Sequence, residues 1–214
     1  TTSGAGTFDD ATLENPVYTP GAGDAGTTVT LTMTVTSNNS CSPATATATY
    51  SVTVNPIPVA ITPTNQTVCN TGTTAEIVLT SDTSGTTFAW SNSNTSIGLA
   101  ASGTGNIPSF VATNAGNTPI SGTITVTPSA NACNGTPMTF TITVNPIPTV
   151  NAINSQVVCN NGSTTAINFS GAVAGTVYSW SNSNTAINLG SQGSTNIAAF
   201  TATNTTNAPI TGNF

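Results

Sequence analysis

Apolar residues alternate with threonine and serine along most of this chain. Val29, Leu31, Met33 and Val35 are spaced by threonines, and Tyr50, Val52 and Val54 repeat the pattern in the next run. A period of two marks a strand with one buried face, so each run predicts a strand. Ser37-Asn38-Asn39-Ser40 between them predicts a hairpin turn. Further on, Thr67-Val68-Cys69 predicts a short strand closed by an Asn70-Thr71-Gly72 turn. Ile77 and Leu79 share one face of the next strand, with Glu76, Val78 and Thr80 opposite, and Phe88 and Trp90 share a face on the third. Strands at 109–113, 122–127 and 138–144 complete the set, and Met138, Phe140, Ile142 and Val144 alternate cleanly. Short strands with turn signals at roughly 8–12-residue spacing, and no helical period, predict an all-β, immunoglobulin-like β-sandwich.

The whole pattern recurs about ninety positions on. Val54-Asn55-Pro56-Ile57-Pro58 returns as Val144-Asn145-Pro146-Ile147-Pro148, Cys69 as Cys159, and Trp90-Ser91-Asn92-Ser93-Asn94-Thr95 as Trp180 to Thr185. Asn106-Ile107, Phe110, Ala112-Thr113-Asn114 and Pro119-Ile120 likewise have counterparts, with no gap in the alignment. Such periodicity predicts tandem domains in an elongated end-to-end array. Residues 1–57 are expected to be the C-terminal part of a divergent first unit, 58–147 a complete unit, and 148–214 the N-terminal part of a third. In the third, Ile167, Phe169, Tyr178, Trp180 and Phe200 hold the corresponding places. Pro56, Pro58, Pro146 and Pro148 read as linker residues, because proline fixes φ and restricts its predecessor to extended geometry. A chain that opens and stops within a repeat is expected to be an excerpt of something longer, with any address or anchor outside it.

Charge narrows the functions available. The 214 residues hold no Lys, Arg or His against six acids, a net charge of −6. Nucleic-acid binding needs cations to displace phosphate counterions, so it is excluded. Anionic membrane surfaces would repel the chain, and no apolar run approaches the roughly 20 residues of a spanning helix, so no direct membrane insertion is expected. The missing trypsin sites fit either selected protease resistance or drift in a repetitive sequence. Disorder is disfavoured, since 36% of residues are apolar and fall in alternating runs.

Candidate chemistry is sparse. Ser and Thr abound, but no His or Lys is present to activate them as nucleophiles. Asp9, Asp10 and Asp24 could approach one another as a calcium site, yet the D-x-D-x-D-G spacing is missing and a solvated acidic loop is the simpler reading. Glu76 and Asp82 correspond to Ala166 and Ala172 in the third repeat, which argues against a glycosidase pair. No catalytic residue, cofactor or metal is therefore expected. Lys–Asn isopeptide cross-links cannot form without lysine. Cys41, Cys69, Cys133 and Cys159 match no metal or redox spacing. A Cys69–Cys133 disulfide within the complete unit is the favoured reading, closing a loop of roughly 65 residues and contributing about 4 kcal/mol. A bond between neighbouring units, or free thiols, are the alternatives. Trp90 and Trp180, beside Phe88 and Tyr178, read as core aromatics rather than sugar platforms. The Ser-Asn-Ser-Asn-Thr after each Trp could hydrogen-bond sugars, although these residues are also ordinary turn formers.

Val-x-Val-Asn-Pro-x-Pro at unit ends, Val-Cys-Asn-x-Gly at unit starts and Tyr/Phe-x-Trp-Ser-Asn-Ser-Asn between them carry a resemblance. The chain resembles the PKD-like/Ig-like tandem repeats of giant Bacteroidota cell-surface adhesins, of the SprB gliding-motility type. Residues 1–57, with Ser-Gly-Ala-Gly-Thr-Phe-Asp-Asp-Ala-Thr and Val-Thr-Leu-Thr-Met-Thr-Val-Thr, are similar to another repeat of the same proteins. The resemblance implies type IX export, outer-membrane anchoring through other parts of the protein and a place on the extracellular bacterial surface. Its implied partners are the export and motility machinery. The expected role is a non-enzymatic stalk whose neighbouring repeats stack, with weak multivalent contacts to surface polysaccharide or a solid substratum. The rival is an accessory or carbohydrate-binding spacer module of a secreted polysaccharide-degrading enzyme.

Overall fold

The computed structural model describes residues 1–37 and 44–214. It is all-β, with β1 (Thr7–Phe8), β2 (Tyr18–Thr19), β3 (Thr27–Thr36), β4 (Thr45–Val54), β5 (Ala60–Ile61), β6 (Gln66–Cys69) and β7 (Thr80–Ser81). There follow β8 (Thr87–Asn92), β9 (Ser102–Thr104), β10 (Ile120–Ala130), β11 (Cys133–Asn134), β12 (Met138–Asn145), β13 (Trp180–Ser181) and β14 (Gln192–Gly193). Single 3-10 turns occupy Ala22–Asp24, Thr95–Ile97 and Thr185–Ile187. By proximity the chain groups into two compact units: Thr1–Gln66 with Thr74–Phe110 and Gly122–Ile142, and Thr67–Thr73 with Val111–Ser121 and Thr143–Phe214.

At the front, β3 and β4 form an antiparallel pair in which Val29 faces Val52, Leu31 faces Tyr50 and Met33 faces Ala48. Directly paired residues share a face, so the apolar side chains of the pair lie on one side together with Thr27, and Ser51 and the other threonines lie on the opposite side. The expected turn at Ser37–Ser40 falls largely on 38–43, outside the described residues. Tyr18 on β2 anchors the N-terminal loop to Asp24. Its hydroxyl donates to the Asp24 carboxylate at 2.6 Å, and the Ala5 and Gly21 amides donate to the same group at 2.6 and 2.9 Å. Gly4 leaves space for this knot, since a Cβ there would meet Asp24 Oδ1 and Tyr18 Oη.

The expectation that Asp24 is a solvated acid is thus corrected: it is buried, 2% exposed, because three donors replace its water. The Tyr18 hydroxyl, then the Ala5 and Gly21 amides, hold its carboxyl below the usual range. A depressed folded pKa stabilises fully above the ordinary carboxylate value and is lost as pH falls through the lowered one. Acidification from neutrality to about pH 2 is therefore expected to erode amide-exchange protection at Ala5 and Gly21, and Asp24→Asn to remove that dependence. Unchanged protection across that range would contradict it.

In the middle of the chain, the strand order β6-β12-β10-β8-β9, with β11 on β10, makes one sheet. The β5–β7 pair and the single bridges Thr73–Val111 and Ile77–Ile107 lie outside that sheet, and the all-β pattern is consistent with a PKD-like β-sandwich. Ile77, Leu79, Ile97, Ile107, Ile124, Val126, Phe140, Ile142 and Val144 are buried. β10 and β12 alternate buried and half-exposed positions along their length.

The runs expected as strands at 76–80 and 109–113 pair as ladders only at Thr80–Ser81 or through isolated bridges. Side chains take their backbone donors instead: Leu79 N–H donates to Asn106 Oδ1 (3.0 Å), and Phe110 N–H to Thr74 Oγ1 (3.0 Å). Polar side chains compete with ladder bonds in this way.

Pro58 is fully buried, whereas Ile57 beside it is 65% exposed. Gly135 is the reason Pro58 fits: a Cβ there would overlap the Pro58 carbonyl and approach the Pro128 ring at 2.8 Å. Pro146 is also buried, Pro56 half-buried and Pro148 exposed. Gly135→Ala must displace a backbone carbonyl rather than a flexible side-chain tip. It is expected to cost roughly 1–3 kcal/mol in urea denaturation, the range of overpacking changes, and a neutral result would show that Pro58 can move.

Candidate functional site

The residues best suited by type to bind a ligand are the Ser-Asn-Ser-Asn-Thr loops that leave β8 and β13. Asn92 ends β8 on the same face as Phe88 and Trp90, and is 8% exposed. Its Nδ2 donates to the carbonyls of Asn94 (3.0 Å), Leu99 (3.0 Å) and Ala100 (3.4 Å), while Oδ1 accepts the Asn94 amide (3.0 Å). Asn94 then caps the 3-10 turn by accepting the Ser96 amide at 3.0 Å. Gly98, at φ 96°, closes that turn in the left-handed conformation. Ser93 Oγ accepts the Thr123 amide at 2.9 Å.

Each of these bonds recurs in the third repeat. Asn182 donates to the carbonyls of Asn184, Leu189 and Gly190 and accepts the Asn184 amide. Asn184 accepts the Ala186 amide, and Ser183 Oγ the Asn213 amide. Asn188, at φ 69°, stands where the middle unit has Gly98. The loops are built from the inside, and their buried amides are committed to their own backbone.

Other polar residues follow the same rule. Asn114, 3% exposed, donates to Thr118 O (2.9 Å) and Val144 O (2.8 Å) and accepts the Gly116 amide. Asn204 likewise donates to Ala208 O and accepts the Thr206 amide. Gln66 clips both backbone groups of Ala75, as Gln156 clips those of Thr165. Their partners range from two residues away, as Gly116 is from Asn114, to thirty, as Val144 is.

Trp90 is buried at 8% exposure and packs on Gly103, where a Cβ would overlap its ring. Its Nε1 finds no partner among the described residues, whereas Trp180 Nε1 donates to Thr195 O at 2.9 Å. Phe88, Tyr178 and Trp180 are half-buried. Tyr178 stacks on Phe169 (5.9 Å, 23°), and Trp180 meets Phe214 edge to face (6.3 Å, 88°).

Asp9 and Asp10 do not join Asp24. Asp9 Oδ1 accepts the Asp10 and Val17 amides, and those amides hold its carboxyl below the usual range. Asp10 is held low by the Thr12 hydroxyl and then the Thr12 amide. Among the described residues no three acids or cysteines group as metal ligands.

The expected Cys69–Cys133 disulfide is corrected: both are free thiols, as is Cys159, while Cys41 lies outside the described residues. Asn70, next to Cys69, donates to Asn145 at the C-terminal end of β12. Cys133 pairs with Ala130 in the hairpin that leads into the opposite end of that strand.

Residues 61–148 match the PKD-like domain family. Over these residues the chain is similar to PKD-like domains. PKD-like domains are usually extracellular, and no helix among the described residues is long and apolar enough to cross a membrane. No curated protein matches the chain. In the PKD-like segment, then, the polar residues most suggestive of sugar binding serve the fold.

Proposed function

We propose that this chain is a non-catalytic repeat segment of a large bacterial cell-surface adhesin filament, in which successive PKD-like units provide reach. The observation that supports it best is the recurrence, at an offset of about ninety residues, of the Asn92 and Asn182 hydrogen-bond sets. A repeat that preserves its internal struts while its acids come and go between copies is maintained for folding rather than for a reaction. Adhesion on this reading comes from the exposed threonine, serine and asparagine surface, through many weak contacts whose avidity offsets low unit affinity. Gliding motility and outer-membrane anchoring belong to the same reading, through the resemblance of its repeat signatures.

Binding of the 214-residue chain to arrays of surface polysaccharides and to glass or cellulose tests the adhesive part. Weak retention on neutral polysaccharide that added salt does not abolish is expected, since the contacts would be made by uncharged hydroxyl and amide groups. Complete silence would reduce the role to that of a spacer. A catalytic domain beside these units in the parent reading frame would favour the rival enzyme-accessory reading.

A further inference from the structure

β5 and β7 pair antiparallel, with Ala60 opposite Ser81 and Ile61 opposite Thr80. Ala60, Ile77 and Leu79 are buried, so the alternate positions form the outer side of the pair. There Ile61 is 59% exposed and Val78 58%. The two are diagonal neighbours across the strands, about 7–8 Å apart in such a ladder. Carried one residue on, the register sets Val59, equally exposed, opposite Asp82. The outcome is a short aliphatic strip with Asp82 at one end and Glu76, two residues before Val78, at the other.

These two acids are the only charged side chains in residues 58–147, and both are exposed. Single exposed aliphatic residues need no explanation, but a strip bracketed by the only charges of its repeat does. The third repeat shows what the fold itself requires. Ile77, Ile97 and Ile107 return there as Ile167, Ile187 and Ile197. The backbone pairing also returns, since the Asn151 amide donates to the Ser170 carbonyl at 2.8 Å. Every residue of the strip is different: Val59 becomes Thr149, Ile61 Asn151, Glu76 Ala166, Val78 Asn168 and Asp82 Ala172. The pair therefore forms with an uncharged, polar outer side, and the strip of the middle repeat is not needed to fold it.

We propose that the outer side of β5 and β7 docks a partner protein, through a segment that carries aliphatic side chains between two cations. Charge decides the occupant. A second copy of this chain has no Lys, Arg or His and would bring only further acids. An anionic membrane surface is repelled for the same reason. Polysaccharide would find neither an aromatic platform nor an amide row among these five side chains. Glu76 and Asp82 stand six residues apart, about 20 Å in extended chain. Lysine or arginine at that spacing meets both carboxylates while the side chains between them cover the strip. The contact is small, so it is weak, and its charges make it sensitive to salt.

A capped synthetic peptide, Lys-Val-Thr-Val-Thr-Val-Lys, titrated into the isotope-labelled 214-residue chain tests this through amide shifts. Saturable shifts are expected at residues 59–61 and 76–82. They should fade as salt rises from about 0.01 M to about 1 M, where the screening length falls from about 30 to 3 Å. Glutamine in place of both peptide lysines, or Glu76→Ala with Asp82→Ala, is expected to weaken binding about fivefold, the scale of two exposed ion pairs. Ile61→Asn with Val78→Asn, which installs the third repeat's own residues, should weaken it at least as much while leaving the charge unchanged. Thermal melts check that both double variants fold. No saturable shift, shifts centred on Asp9, Asp10 or Glu14, equal binding of the glutamine peptide, or indifference to either double variant would each overturn the proposal. So would self-association in sedimentation velocity that Ile61→Asn with Val78→Asn abolishes, since the occupant would then be a second copy.

Discussion

Asn92→Asp is expected to cost the PKD-like segment on the order of 3–5 kcal/mol, enough to unfold it under mild conditions. The two side chains have the same shape, but the amide nitrogen that donates to Asn94, Leu99 and Ala100 becomes an oxygen facing three carbonyls. At neutral pH the site would bury a charge with no cation to meet it, in a chain that has none. Its folded pKa would therefore be raised. The penalty is full above that raised value and recedes as acid protonates the carboxyl, which restores one donor. Asn92→Ala removes the same donor without adding charge and lets water approach, so a smaller loss of about 2–3 kcal/mol is expected. Urea denaturation of the three proteins at neutral and acidic pH separates these outcomes. An aspartate variant within 1 kcal/mol of the parent, by the ~1 kcal/mol scale of an ordinary hydrogen bond, would mean that Asn92 is not the strut it is described to be.

The same residue shows how far the sequence could be read. Alternation exposed β3, β4, β10 and β12, because a period of two survives in the side chains whether the apolar face is buried, as in β10 and β12, or largely open, as in β4. Trp90 was legible for the same reason. Ser102-Gly103-Thr104 gave no such signal: β9 is an edge strand whose Gly103 is fixed by the ring above it, a constraint from another strand. The stretches at 76–80 and 109–113 looked like strands, but Asn106 and Thr74, distant in sequence, intercept their donors. Asn92 was recognisable as a turn former, while its partners seven and eight residues on depended on how the loop closes. Cysteine spacing allowed a bond, but Cys69 and Cys133 are free thiols. Asp24 looked solvated because its donors, Tyr18, Ala5 and Gly21, meet only once β1 and β2 pair.

The repeat supplies its own control for the second large effect, that of deleting core volume. Ile97 and Ile187 occupy the same place in the two 3-10 turns. Ile97 is fully buried, with its Cδ1 against Gly122, whereas Ile187 is half-buried against Gly212. Ile97→Ala loses its transfer energy and leaves a cavity beside Gly122 of β10, so about 3–4 kcal/mol is expected. Ile187→Ala borders an open groove, where solvent or neighbouring side chains can relax into the gap. A loss of only about 1–2 kcal/mol is expected there. Urea melts in Trp90→Phe and Trp180→Phe backgrounds assign each loss to its own segment by fluorescence. Equal costs for the two substitutions in dilute protein would show that Ile187 is packed as tightly as Ile97.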